Sequence, residues 1–207
     1  HCISSAASDV YKRQENYKEA AKILKESGAD LLVLEMLLDV DHSKILLNAA
    51  LETGLPVWVG LSCCDSKFDN SVIGRNFRAE KEKSLIYDEN KYRDQPKYLP
   101  EDKIILLEDI IKSLTSLGGD VYGIMHTWFQ DSIGGLKILK NNWKGPIMFY
   151  PEIHKFDTNT HKAIITMTEE EFSNSILELI DDQIQIVGGC CGVNDKHLKR
   201  LIQSISE

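Results

Sequence analysis

No stretch of this 207-residue chain comes near the roughly 18 consecutive apolar residues needed to cross a bilayer, so no membrane-spanning helix is expected. Positive charge is in short supply. The 24 Lys and Arg stand against 32 Asp and Glu, and the net charge of −8 argues against nucleic acid or an anionic membrane as partner. Cysteine is scarce and odd in number: five in all, four of them in the adjacent pairs Cys63-Cys64 and Cys190-Cys191. That is a poor framework for disulfides and fits a reducing compartment, with the cytoplasm as the default. No Gly-x-Gly-x-x-Gly follows the first apolar segment, so a dinucleotide site loses support. What is present is the composition of an ordinary soluble globular protein, 43% apolar and 27% charged, long enough for one domain with a real core.

The first fourteen residues have no periodicity, and Val10-Tyr11-Lys12-Arg13-Gln14 resembles the translated end of a transposon used in sequencing libraries. Residues 1–14 are therefore set apart as a non-native, adapter-like segment, and 15–207 as the domain. The native sequence is then expected to start inside a longer protein. From Glu15 on, apolar strands alternate with helical stripes. Helices are expected over Glu15–Ser27, His42–Thr53, Ile104–Leu117, Ser132–Asn142, from Thr168 onward and at the C-terminus. Thr168 with Glu171 three residues later reads as a capping box. Strands are expected at Leu31–Leu34, Val57–Leu61, Val121–Met125, Pro146–Pro151 and Ile184–Val187. Residues 65 to about 102 break the pattern and read as a long excursion with a short helix around Arg78 to Ile86. Residues 152–157 read as a loop.

Nearly continuous apolar strands between amphipathic helices mean a parallel sheet covered by helices. An open doubly wound sheet and a (β/α)8 barrel of the TIM type compete. Glu35, Cys63/Cys64, His126, Glu152/His154 and Cys190/Cys191 each follow the C-terminal end of a different strand, which is where barrel enzymes gather their active sites. The expected fold is therefore α/β, a barrel of which about five C-terminal βα units are present.

The focus of the chain is Ile186-Val187-Gly188-Gly189-Cys190-Cys191-Gly192, two thiols placed where a strand hands over to a helix. Neighbouring cysteines close a disulfide only with strain. Both can ligate one soft metal ion where glycines allow the bend, zinc being the usual candidate. The competing reading is two small buried residues. That reading is the stronger one for Cys63-Cys64, at the end of a packed strand. His154 and His161 fall in a polar segment and are expected to be exposed, while His42 and His197 sit on helices. Tyr87, Tyr92 and Tyr98 could line a pocket from the long excursion.

Gly-Gly-Cys-Cys-Gly resembles the zinc-binding signature of the homocysteine S-methyltransferase family. Gly28-Ala29-Asp30-Leu31-Leu32-Val33-Leu34-Glu35 is similar to the family's Gly-x-Asp-x-x-x-x-Glu segment, and Tyr150-Pro151-Glu152 to its Tyr-Pro-Asn turn. The chain departs from the pattern at Met36, where Thr is usual, and at Met125-His126, where the family has Asn-Cys. The resemblance covers about residues 15–205. It implies a zinc-dependent methyltransferase that moves a methyl group from a small donor to the thiol of homocysteine, giving methionine. Zn2+ would be held by Cys190, Cys191 and, in place of the family's third thiolate, His126; Glu35 would bind the substrate's amino group. A His-Cys-Cys site carries one negative charge fewer than three thiolates, so a bound sulfur would be less nucleophilic unless neighbouring groups compensate. Two rival readings remain open: a non-catalytic or redirected zinc-binding barrel, and a zinc lyase or hydrolase that uses His126 and a water in the open position of the metal. Methyl donor and oligomeric state are not legible in the sequence.

Overall fold

The computed structural model describes residues 2–76, 79–81, 104–157 and 162–206. Five parallel strands make the central sheet in the order β1 (Leu32–Leu37), β2 (Val57–Leu61), β5 (Val121–Trp128), β6 (Ile147–Glu152) and β9 (Ile184–Val187). A helix precedes β1 or follows each strand: α1 (Cys2–Glu26), α2 (Val40–Leu51), α3 (Leu107–Thr115), α4 (Phe129–Asn142), α5 (Glu169–Leu177) and α6 (Asp195–Ser206). The strand–helix alternation expected from the sequence is thus present as an α/β fold with a parallel sheet. Among the described residues the sheet is open, ending at β1 and β9. The helix expected from Glu15 is the second half of a longer one, whose backbone is helical from Cys2.

One face of the sheet makes the core. Leu32, Leu34, Val57, Val59, Leu61, Tyr122, Ile124, Ile147 and Phe149 alternate along their strands and pack against Leu47, Leu107, Ile110, Ile111, Leu114, Leu139, Phe172 and Ile176 from the helices. The opposite face carries Val33, Trp58, Gly60, Gly123, Met125, Met148 and Tyr150 and is only partly covered; Val33 is 41% exposed. Gly60 and Gly123 are register partners at its centre. A Cβ at Gly123 would meet the Met148 carbonyl oxygen at 2.2 Å, and one at Gly60 would meet Met125 Cγ at 2.9 Å. The missing side chains let Met125, Met148 and Tyr150 fill this face.

Two segments differ from expectation. Cys63-Cys64, expected at the end of the preceding strand, and residues 65–74, read as the start of an irregular excursion, form an antiparallel hairpin of β3 (Cys63–Asp65) and β4 (Val72–Gly74). Its turn holds Asn70 at φ 59°, and the Asp69 carboxylate accepts from the Ser71 N–H at 3.1 Å. Ala79, Glu80 and Lys81 fold back on this hairpin, through Lys67 N–H to Ala79 O (2.8 Å) and Lys81 N–H to Asp65 O (2.9 Å). The rest of the helix expected around Arg78 to Ile86 lies outside the described residues, as do Tyr87, Tyr92, Tyr98 and His161. The second segment was expected as a loop from Glu152. Instead Glu152 belongs to β6, and β7 (His154–Asp157) pairs with β8 (Lys162–Ile165). Such hairpins are only three or four residues per strand, too short to show a period.

The capping box at α5 forms as the sequence indicates: Thr168 Oγ1 accepts from the Glu171 N–H at 3.2 Å, and Glu171 Oε2 accepts from the Thr168 N–H at 2.8 Å. Thr168→Ala is expected to lower stability by about 1 kcal/mol, read as a shifted urea midpoint at unchanged slope. A midpoint within error of the parent would show that α5 does not depend on its cap.

Candidate metal centre

Three donor atoms meet at the C-terminal ends of β5 and β9. Cys190 Sγ lies 3.6 Å from His126 Nδ1, Cys191 Sγ lies 3.8 Å from the same nitrogen, and the two sulfurs are 3.9 Å apart. A tetrahedral ion with roughly 2.3 Å bonds to sulfur and roughly 2.0–2.1 Å bonds to nitrogen would space two sulfurs roughly 3.8 Å apart, and sulfur and nitrogen roughly 3.6 Å apart. The three side chains therefore fit a zinc-sized ion without rearrangement. Two thiolates and an imidazole also suit such an ion chemically.

Backbone contacts hold each donor in place. The cysteine turn is pinned along β6: the Gly188 N–H donates to Phe149 O at 3.1 Å, the Cys190 N–H to Pro151 O at 3.0 Å, and the Ile153 N–H to Cys191 O at 2.9 Å. Gly192, at φ 91°, closes the turn where a Cβ would meet His154 at 3.0 Å. His126 was expected just after its strand, but it lies within β5, at φ 44° in a register break between Met125 and Trp128. A left-handed conformation is uncommon for a non-glycine residue and persists where the surroundings over-determine it. Here they do. The His126 carbonyl accepts from Ser62 Oγ at 2.7 Å and from the Arg75 guanidinium. The break turns the imidazole toward the two thiols.

Met36, in the matching break of β1, is also left-handed at φ 59°, and its N–H donates to Met125 Sδ at 3.3 Å. Two of the positions where the sequence departs from the pattern it resembles, Met36 and Met125, thus touch one another.

Burial sets the protonation states. His126 is held below the usual imidazole range by burial, partly opposed by the Glu152 charge, so it is neutral and able to ligate near pH 7. Burial likewise pushes the Cys190 thiol up to about 11, which means that an ion must displace a proton there. Cys63 and Cys64 are 1% and 0% exposed, and burial raises both, Cys64 to about 12. They are core thiols, with Cys63 beside Thr127 and Gly135.

Glu35 lies within β1 and is exposed. Its Oε1 accepts from the Tyr150 hydroxyl at 3.4 Å, and its charge acts on both Tyr150 and His126. Sequence reasoning missed Arg75 and the burial of Glu152. Arg75, 3% exposed, lies 2.8 Å from Glu152 Oε1 and 3.7 Å from Glu80 Oε1. Glu152 is 1% exposed, and its Oε2 is 3.4 Å from His126 Nδ1. His154, expected in the open, is half-buried, with its donor atoms within 4.8 Å of those of Glu152 and Cys191. An arginine inside an otherwise polar segment was the one available signal for this ion pair.

The model of the family described as homocysteine S-methyltransferase matches residues 3–84 and 106–205. No curated protein matches the sequence. Among solved structures, the chain is similar to the homocysteine methyltransferase MmuM from Escherichia coli. Its apo form matches with a TM-score of 0.60 and 15% identity, over 94% of this chain and 56% of that one. Its metallated form matches with a TM-score of 0.59 and 14% identity, over 92% and 52%. The chain thus spans about half the length of these solved structures. At such identities the likeness is one of fold.

Proposed function

The chain belongs to the homocysteine S-methyltransferase family, and from that premise we propose that it moves a methyl group from a small donor to the thiol of homocysteine at a zinc site. The observation that carries this reading is the spacing of His126 Nδ1, Cys190 Sγ and Cys191 Sγ, which matches a tetrahedral ion. When bound there, zinc supplies the Lewis acidity that keeps a substrate thiol ionised at neutral pH. The residues of the chain do the rest. Cys190, Cys191 and His126 hold the ion, and Glu35 on the partly open face binds the substrate ammonium with Tyr150 beside it. The five strands form an arc of a (β/α)8 barrel, whose strand ends gather the site. MmuM exists in a metallated form, which supports a metal here without naming it. The cytoplasm is the compartment that would keep these thiols reduced.

The test is methionine formation by the zinc-loaded chain from homocysteine and a panel of sulfonium, ammonium and folate methyl donors. Turnover that needs homocysteine supports the reading. Lyase or hydrolase activity without any thiol would replace it. Zinc binding with no thiol-dependent turnover favours the redirected barrel, a reading that rests on Met125-His126 standing where the family has Asn-Cys.

The third ligand is separable from the chemistry. His126→Ala is expected to weaken zinc binding about tenfold to a thousandfold, whereas His126→Cys retains it and makes a bound substrate thiolate more nucleophilic. Competition with a chromophoric chelator measures the affinity. Equal affinity in the parent and His126→Ala would remove His126 from the ligand set.

A further inference from the structure

Ser62 follows the last residue of β2, at the level where both neighbouring strands break register. β1 breaks between Leu34 and Leu37 with Met36 at φ 59°, and β5 breaks between Met125 and Trp128 with His126 at φ 44°. Ser62 is 0% exposed and bonds to both strands. Its N–H donates to Leu37 O at 3.1 Å, at the end of the first break, and its hydroxyl donates to His126 O at 2.7 Å, inside the second. Its own carbonyl accepts from the Arg75 N–H at 2.9 Å, and the Arg75 guanidinium reaches the same His126 carbonyl. With its backbone committed on both sides, Ser62 is a fixed post. A buried hydroxyl is unfavourable unless bonded, and serine commonly finds its acceptor within its own turn. This one instead crosses to a carbonyl 64 residues away in sequence.

That carbonyl matters because of the nitrogen it controls. Nδ1 is the ring nitrogen nearer the backbone, and it is the atom that meets Cys190 Sγ and Cys191 Sγ. Over so short a reach, rotation of the side chain does not make good a change in the backbone. A left-handed residue other than glycine is held against its own preference. Released, the His126 backbone relaxes and carries Nδ1 away from the thiols. The fraction of chains with three donors assembled then falls, and the apparent metal affinity falls with it.

Resting on the zinc-site reading above, we propose that Ser62 is a positioning residue of the metal centre: its hydroxyl holds the His126 carbonyl so that Nδ1 is in place before the ion arrives. Cys190 and Cys191 are held separately, by the backbone bonds of their turn to Pro151 and Ile153. Ser62 therefore acts on the nitrogen donor and leaves the two sulfurs alone.

A double-mutant cycle on the full chain tests this, with zinc affinity read by competition with a chromophoric chelator. Ser62→Ala should weaken zinc binding about fivefold to thirtyfold in the parent, the loss expected for one buried hydrogen bond. In the His126→Ala background the same change should have no further effect, because the donor it positions is gone. A residue that merely fills the core would loosen the whole site and weaken zinc equally in both backgrounds, and that result overturns the proposal. So does an affinity in Ser62→Ala equal to the parent's. The cobalt-loaded chain gives a second readout: in Ser62→Ala its visible bands should move toward those of His126→Ala, while the thiolate-to-cobalt absorption stays at the parent's strength. Loss of that thiolate absorption would place the effect on the cysteines and also overturn the proposal. Cys191→Ala separates the two readings. Loss of zinc there with none in Ser62→Ala overturns the role of Ser62 alone, whereas no loss in Cys191→Ala overturns the zinc site itself. Should Ser62→Ala fail to fold, Ser62→Cys keeps a side chain of similar shape with a much weaker donor and is judged by the same cycle and spectrum.

Discussion

Replacing Cys190 or Cys191 by alanine is expected to weaken zinc binding by about a hundredfold to a thousandfold in each case. Structural zinc sites bind with about 10–16 kcal/mol at pH 7, so one of four ligands carries roughly 2.5–4 kcal/mol. The two sulfurs are nearly equivalent in their spacing to His126, 3.6 and 3.8 Å. Cys63→Ala and Cys64→Ala serve as the contrast: both thiols lie in the core, and their loss should lower stability but leave zinc affinity unchanged. The affinity should also depend on pH in a defined direction. The Cys190 thiol titrates near 11 without metal, so zinc must expel its proton throughout the physiological range. Affinity then falls about tenfold for each unit of falling pH on this thiol's account alone. His126 adds little between pH 8 and 6.5, because burial holds its proton affinity below the ordinary value; its further loss enters only below about 6.5. An affinity that stays flat from pH 9 to 7, or zinc content untouched in both alanine variants, would sink the metal centre.

Arg75→Met is expected to destabilise the fold by about 3–5 kcal/mol, because it leaves Glu152 and Glu80 without their shared guanidinium. It also removes a donor that, with Ser62, pins the His126 carbonyl in its left-handed conformation. For a domain of about 200 residues the shift corresponds to a fall in melting temperature of roughly 6–20 °C. Adding Glu152→Gln to Arg75→Met should recover part of that loss, since removing both members of a buried pair is far less harmful than removing one. A double variant as unstable as the product of the two single changes would mean that the two side chains do not interact. A single variant with unchanged melting would place Arg75 outside the packed site altogether.

Much of the frame could be read from residue order alone, because it rests on local rules. The apolar runs at Val57–Leu61 and Ile184–Val187 have β-branched content and flanking turn residues, and the structure places strands over those same residues. Thr168 and Glu171 cap a helix through contacts three residues apart, so their sequence is enough. Placing Glu35, His126 and the cysteine pair toward the C-terminal ends of strands needed only the alternation of strand and helix, although Glu35 and His126 fall within β1 and β5 rather than after them. The hairpins at Cys63–Gly74 and His154–Ile165 escaped because very short antiparallel pairs leave no period to detect.

The meeting of the donors is a different matter. His126 and Cys190 are 64 residues apart, and their 3.6 Å approach depends on β5 and β9 flanking β6 and on a register break that turns one backbone to φ 44°. No local preference of Met125-His126-Thr127 specifies that break; Ser62 and Arg75 impose it from other strands and turns. The same holds for Glu152, which in sequence is one more acidic residue after Tyr-Pro. Its burial, its ion pair and its place beside His126 follow from long-range packing, and those contacts set the chemistry of the centre.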